Sequence, residues 1–186
     1  PRPGEAQRKK GSSLPVTGVV AGCEVAMKRT NLPTLGEASG VAVSVVRPDT
    51  LWAIVDTGGP ATVSGLNHAG EVTDTVRLSG YRASDVEEVA VGPCGDASCV
   101  YAADIGDNDA RRKEIAVYRF PEPAAGVRDV QAERFRATYP DGPHDAESFF
   151  VTPSGQMFIV TKGPGPVALY RFPSGAKADA VARLEK

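Results

Sequence analysis

Short apolar runs and turn residues alternate along most of the chain. SGVAVSVV, TLWAIVD, EEVAVG, CVYAAD, IAVYRF, SFFVTP, QMFIVTK and PVALYRF are each bounded by Gly, Pro, Asn or Asp. Within these runs apolar residues sit at alternate positions or in β-branched clusters, the pattern of half-buried strands and not of helices. Pro153-Ser154-Gly155 and Asn67-His68-Ala69-Gly70 supply the residues that preset tight turns between two such runs. The pattern predicts an all-β chain of short strands joined by turns.

The runs also repeat. Glu37-Ala-Ser39-Gly-Val41-Ala-Val43 aligns with Asp85-Val-Glu87-Glu-Val89-Ala-Val91 and with Asp145-Ala-Glu147-Ser-Phe149-Phe-Val151. Each is followed by an aromatic-bearing strand, with Trp52, Tyr101 and Phe158 at the recurring place, and then by a Gly-rich turn and a third strand. Ile115–Pro121 and Val167–Pro173 are close copies through Tyr-Arg-Phe-Pro, and Val63–Asn67 is a diverged one. A fourth strand, Val72–Leu78 or Ala132–Thr138, closes the unit. A four-stranded unit recurring every 50 to 60 residues or so is the signature of β-propeller blades. The predicted blades are 37–80, 83–140 and 143–186, the last ending at Val181–Lys186 inside its outermost strand. Three antiparallel blades make a partial β-propeller, because rings close with about four to eight. The chain is then either a fragment of a longer, six-bladed one, the preferred reading, or one of several chains assembling a ring. The recurring aromatics are expected between blades.

Composition adds the exclusions. With 21 basic and 23 acidic residues in 186, the net charge is −2, and the basic surplus expected of a nucleic-acid binder is missing. No apolar run approaches the roughly 20 residues that span a bilayer. Residues 1–30 read as a leader: the cluster Arg8, Lys9, Lys10 precedes uncharged Gly11–Cys23, the order of an export signal. Val20-Ala21-Gly22-Cys23 resembles a bacterial lipoprotein signal, which would make Cys23 a lipid anchor. The alternative is a disordered leader with an incidental Cys. Cys94 and Cys99 flank a Gly-rich turn, where a small disulfide stapling a hairpin is preferred to two separate thiols. That bond would place the protein in an extracytoplasmic, oxidising compartment.

Carboxylates dominate the candidate chemistry. The repeat superposes Glu37, Asp85 and Asp145 at one position and Ser39, Glu87 and Glu147 two residues on, which puts both positions on one strand face. First strands line a propeller's channel, so these carboxylates are expected near one mouth, where they repel unless a cation intervenes. Calcium suits hard oxygen ligands. Neutralisation by Arg and Lys, or capping of turns by each carboxylate, is the structural alternative. Asp104, Asp107 and Asn108 offer further closely spaced oxygens, and Arg111-Arg112-Lys113 next door offers charge balance. His144, beside Asp145 and Glu147, is the candidate general acid–base group.

The series DVEEVAVGPCGDASCVYAADIGDN, YRFPEP and YPDGPHDAESFFVTPSGQMFIVTKG resembles uncharacterised bacterial secreted six-bladed propeller proteins, distant relatives of NHL-like and phytase-like propellers. Asp104-Ile-Gly-Asp107-Asn108 and His144-Asp-Ala-Glu147 carry the resemblance, which spans about Cys23 to Phe172. Val55-Asp56-Thr57-Gly58 and Asp85-Val86-Glu87-Glu88 stand where the family has Asn-Asp-Ser-Gly and Asp-Trp-Glu-Asp, so this chain keeps the acidic character and lacks that Asn and Trp. The resemblance implies calcium and phosphoesters as candidates. The expectation is an exported binding module for an unidentified ligand or protein partner, with a divalent cation at an acidic channel mouth. The alternatives are a calcium-dependent phosphoesterase, with His144 assisting proton transfer, and a cell-envelope interaction scaffold.

Overall fold

The structure is a computed structural model that describes residues 32, 35–55, 58–163 and 166–186. The leader with Cys23, and Asp56-Thr57, lie outside the described residues. The first repeat folds as β1 (Ala38–Val43), β2 (Leu51–Val55), β3 (Gly59–Leu66) and β4 (Val72–Ala83). The second gives β5 (Val86–Cys94), β6 (Ala97–Asp104), β7 (Ile115–Pro121), the short β8 (Asp129–Val130) and β9 (Glu133–Thr138). The third gives β10 (Ala146–Val151), β11 (Met157–Thr161), β12 (Leu169–Arg171) and β13 (Val181–Arg183).

These strands form three sheets, ordered β1-β2-β3-β4-β8, β13-β9-β7-β6-β5 and β10-β11-β12. Neighbours are antiparallel except at the two outer edges, where β8 runs parallel to β4 and β13 parallel to β9. The architecture is an all-β, propeller-like stack. Turn chemistry sets each hairpin: β5 and β6 are joined through Gly95-Asp96, with Cys94 opposite Ala97, and Gly95 takes a φ of 65°, as the first position of a two-residue hairpin requires.

Strand periodicity places the core. Along β6, Val100 and Ala102 join a cluster with Trp52, Ile54, Val63 and Leu78 of the first sheet. The alternate residues Tyr101 and Ala103 join Phe149, Ile159, Tyr170 and Phe172 of the third. The second sheet is therefore the middle layer, apolar on both faces. Trp52 and Tyr101 are fully buried at these two junctions, as their recurrence predicts.

One strand assignment is corrected. Val181–Arg183 is not the outermost strand of the third unit; it pairs with Arg136–Thr138 of the second. It holds the place after Phe172-Pro173 that Asp129–Val130 holds after Phe120-Pro121, and Asp129–Val130 likewise straps the preceding sheet at Arg77-Leu78. The fourth-strand position of the third unit is reached only at Glu185, which bridges Arg171. The ion pairs confirm the equivalence: Arg119 binds Glu133 at 2.8 Å and Arg171 binds Glu185 at 2.7 Å, each across 14 residues.

Candidate functional site

Each sheet opens on a first strand whose pairing slips near its start, between Ala38 and Val41, Val86 and Glu88, and Ala146 and Ser148. A bulge re-aims the side chains beside it, so residues two apart need not share a face as they would on a regular strand. Glu37 stands in the turn before β1 with a φ of 54° and is exposed. Glu87 is buried and accepts a hydrogen bond from the Ser39 hydroxyl at 3.0 Å, across the junction of the first two sheets. The Glu88 carboxylate lies beside Gly40. Burial pushes the Glu88 carboxyl up, against the bond it accepts from the Val89 amide.

Asp85 and Glu87 converge on Gly106. A Cβ there would stand 2.5 Å from the Asp85 carboxyl and 2.6 Å from Glu87 Oε1, so only glycine admits this close approach. The turn that follows is built by its own carboxylates. Asp104 accepts from the Ser84 and Asp85 amides at 3.1 and 3.0 Å and from the Arg112 guanidinium at 2.8 Å. Asp107 accepts from the Arg111 and Arg112 amides at 2.9 and 2.7 Å, and its own amide donates to Asp145 at 2.8 Å. Arg112 also donates to the Gly106 carbonyl, closing the loop. Asn108 is exposed at its tip.

The cation among the first-strand acids is Lys162. Its ammonium donates to Glu147 and stands 3.6 Å from Asp145. The hydrogen bond to Glu147, together with the charges of Glu147, Asp145 and Glu87, raises its pKa above the ordinary lysine value. The equivalent places in the other two repeats carry no lysine, and that departure is the mark of Lys162 in the sequence.

A second network lies alongside. Asp141 accepts from the Tyr170 hydroxyl at 2.9 Å, His144 Nε2 at 2.9 Å and Lys186 at 2.8 Å. The Lys186 and His144 bonds hold the Asp141 carboxyl well below the usual range. The His144 ring packs edge-on against Tyr139 and at a tilt against Tyr170, at 5.0 and 5.4 Å. Burial, then the neighbouring Tyr170, pushes the Tyr139 phenol up. A hydrogen bond to a carboxylate holds the imidazole proton on Nε2, leaving the lone pair of the neutral ring on Nδ1.

Both networks border one cleft of about 470 Å³ between the second and third sheets, lined by Asp107, Asn108, His144, Asp145, Lys162 and Lys186 together with Pro143, Val167, Ala168 and Leu169. The structure thus brings Asp107, Asn108, His144 and Asp145 to one cavity wall, with Glu147 behind Lys162. Glu37 is not a lining residue. Among the described residues no three His, Cys, Asp or Glu side chains are grouped to hold a metal. Calcium takes about six to eight oxygens, whereas Asp104 and Asp107 commit their oxygens to backbone amides and Arg112, and Lys162 stands on Asp145 and Glu147. Asp104, Asp107, Asp145 and Glu147 are thus engaged by amides, Arg112 and Lys162 in this arrangement.

Cys94 and Cys99 are joined as a disulfide with a Cα separation of 5.8 Å. No described helix is long and apolar enough to cross a membrane.

No family model matches the chain, and no curated protein matches it. A gluconolactonase from Xanthomonas campestris is similar among solved structures, at 14% identity over 77% of this chain and 75% of that one, with a TM-score of 0.27.

Proposed function

We propose that this chain is a binding module of a six-bladed propeller, seating a small organic anion in the cleft between its second and third sheets. One observation carries the reading: Lys162, Lys186 and His144 stand around a single cavity of about 470 Å³, within the size range of small-molecule sites. Proline and aliphatic side chains supply the rest of much of its wall. Asp107 and Asp145 on that wall accept from backbone amides, and Asp145 also faces Lys162. The Cys94–Cys99 bond supports an extracytoplasmic location, since disulfides persist in oxidising compartments.

A second reading is hydrolysis of an ester or phosphoester. The Asp141–His144–Tyr170 network favours it, because it orients an imidazole whose Nδ1 can take a proton from water. No step is assigned to calcium, because Asp104, Asp107, Asp145 and Glu147 are engaged by amides, Arg112 and Lys162. Thermal unfolding with p-nitrophenyl phosphate, inorganic phosphate or citrate separates the readings. A ligand that binds only the folded state raises the midpoint. The module predicts a saturable rise without release of p-nitrophenol, and its loss in Lys162→Ala. Turnover abolished by His144→Ala would establish the hydrolase instead. Indifference to all three anions would end the small-anion reading and favour a scaffold that binds protein. A midpoint raised by calcium and lowered by EDTA would restore the metal.

A further inference from the structure

We infer that the three donors around Asp141 form a carboxylate-binding site, and that Asp141 is a tethered stand-in displaced by a carboxylate ligand entering the cleft. The inference rests on the small-anion reading and names the head group of the ligand. The Tyr170 hydroxyl, His144 Nε2 and the Lys186 ammonium converge on the one Asp141 carboxylate, at 2.9, 2.9 and 2.8 Å. His144 and Lys186 also line the cleft, so a carboxylate arriving there meets donors already aimed at one.

The first junction shows what the same place looks like without the acid. Tyr139 and Tyr170 pack at 4.9 Å where the repeat has Tyr81 and Tyr118 at 5.0 Å. A cation stands over each pair, Lys186 over Tyr170 at 5.5 Å and its equivalent Arg134 over Tyr81 at 5.4 Å. Between Tyr81 and Asp85 the link is Arg82-Ala83-Ser84, with no acid, and the Tyr118 hydroxyl donates to the Arg82 carbonyl at 3.5 Å. Between Tyr139 and Asp145 the link is Pro140-Asp141-Gly142-Pro143-His144, two residues longer, and it carries Asp141 onto the Tyr170 hydroxyl. Packing of the sheets therefore does not require a carboxylate here. The longer link can also swing out. Asp141, Gly142 and Pro143 are exposed, Gly142 takes a φ of 103°, and a Cβ on it would meet nothing within 4 Å. Exchange replaces one anion by another, so Lys186 and His144 keep a partner. The ligand gains Lys162 and the aliphatic wall besides, which supplies the differential affinity that displacement needs.

Isothermal titration calorimetry with citrate, on the wild type, Asp141→Ala and Asp141→Asn, tests this. Asp141→Ala is expected to bind about tenfold more tightly than the wild type, because an apparent Kd is the intrinsic one divided by the fraction of molecules whose site is free. Asp141→Asn is expected to tighten in the same direction, and it carries the test if the alanine variant does not fold. Tyr170→Phe in the Asp141→Ala chain is expected to undo the gain. Asp109→Ala removes a carboxyl that is 72% exposed on the neighbouring turn and is expected to leave the affinity unchanged. An equal gain in Asp109→Ala would overturn the proposal, since lost charge alone would then account for it. Equal or weaker binding by both Asp141 variants would also overturn it. If the wild type in that case binds citrate and Lys162→Ala does not, the binding module stands and Asp141 only orients His144. No binding by any of these chains would end both readings.

Discussion

Glu122 shows how one side chain can join two sheets. It follows β7 in the second unit, yet accepts from the Ser44 hydroxyl, the Val45 amide at 3.1 Å and the Trp52 indole at 2.9 Å, all in the first. Ser98 adds a bond at 2.6 Å. Burial alone would raise its pKa, but the bonds from Ser44, Ser98, Trp52 and Val45 outweigh burial and hold the carboxyl below its ordinary value. Asp74, which accepts from Arg47 and from the Gly126 amide of the second unit, is lowered in the same way. A carboxyl lowered on folding contributes stability above its unfolded pKa of about 4.3 for Glu, and that contribution is lost as pH falls through the folded value. The unfolding midpoint is therefore expected to fall on acidification below about pH 4.3, and to fall less steeply in Glu122→Gln. Glu122→Ala leaves the Trp52 N–H buried without its acceptor, which costs about 2 kcal/mol in urea denaturation at neutral pH. An unchanged midpoint in Glu122→Ala would deny that the latch holds the sheets together. The sequence marks the position only as a departure, Glu122 where the parallel Phe-Pro run has Ser174. Its partners in the first unit lie 70 to 78 residues away, beyond any local pattern.

Single elements were legible to different degrees. Strands with five or more residues announce themselves by period-two alternation, and the repeat located all three first strands with their carboxylates. The straps β8 and β13 are two and three residues long, too short for a period, and their pairing is decided by the edge of another sheet. The same limit hid Lys162, whose ammonium meets its acids only after β11 turns back on β10. The hairpin β5–β6 was legible as a whole, because its turn and its cysteines are local. Its disulfide closes a short loop of sequence separation 5, so the chain-entropy argument assigns it only about 2 kcal/mol. The Gly95 turn and the β5–β6 ladder do not depend on it. Replacing both Cys94 and Cys99 by Ala is expected to lower the unfolding free energy by about 2 kcal/mol, read as a lower urea midpoint with an unchanged m-value. A fall in the m-value would mean instead that the hairpin itself needs the bond.

At the scale of the whole molecule, the repeat made the layering readable while the end faces became visible only in three dimensions. Each unit has an apolar preceding face and an apolar following face, but among the described residues only the second sheet has neighbours on both. Local opening follows burial, so backbone amides in a doubly covered sheet exchange most slowly. Hydrogen exchange in a dilute monomer is expected to protect β6 and β7 most, and β1 and β10 less, despite their equivalent repeat sequences. Equal protection of the three sheets in the monomer would show that they open as one unit and that layer position does not set stability.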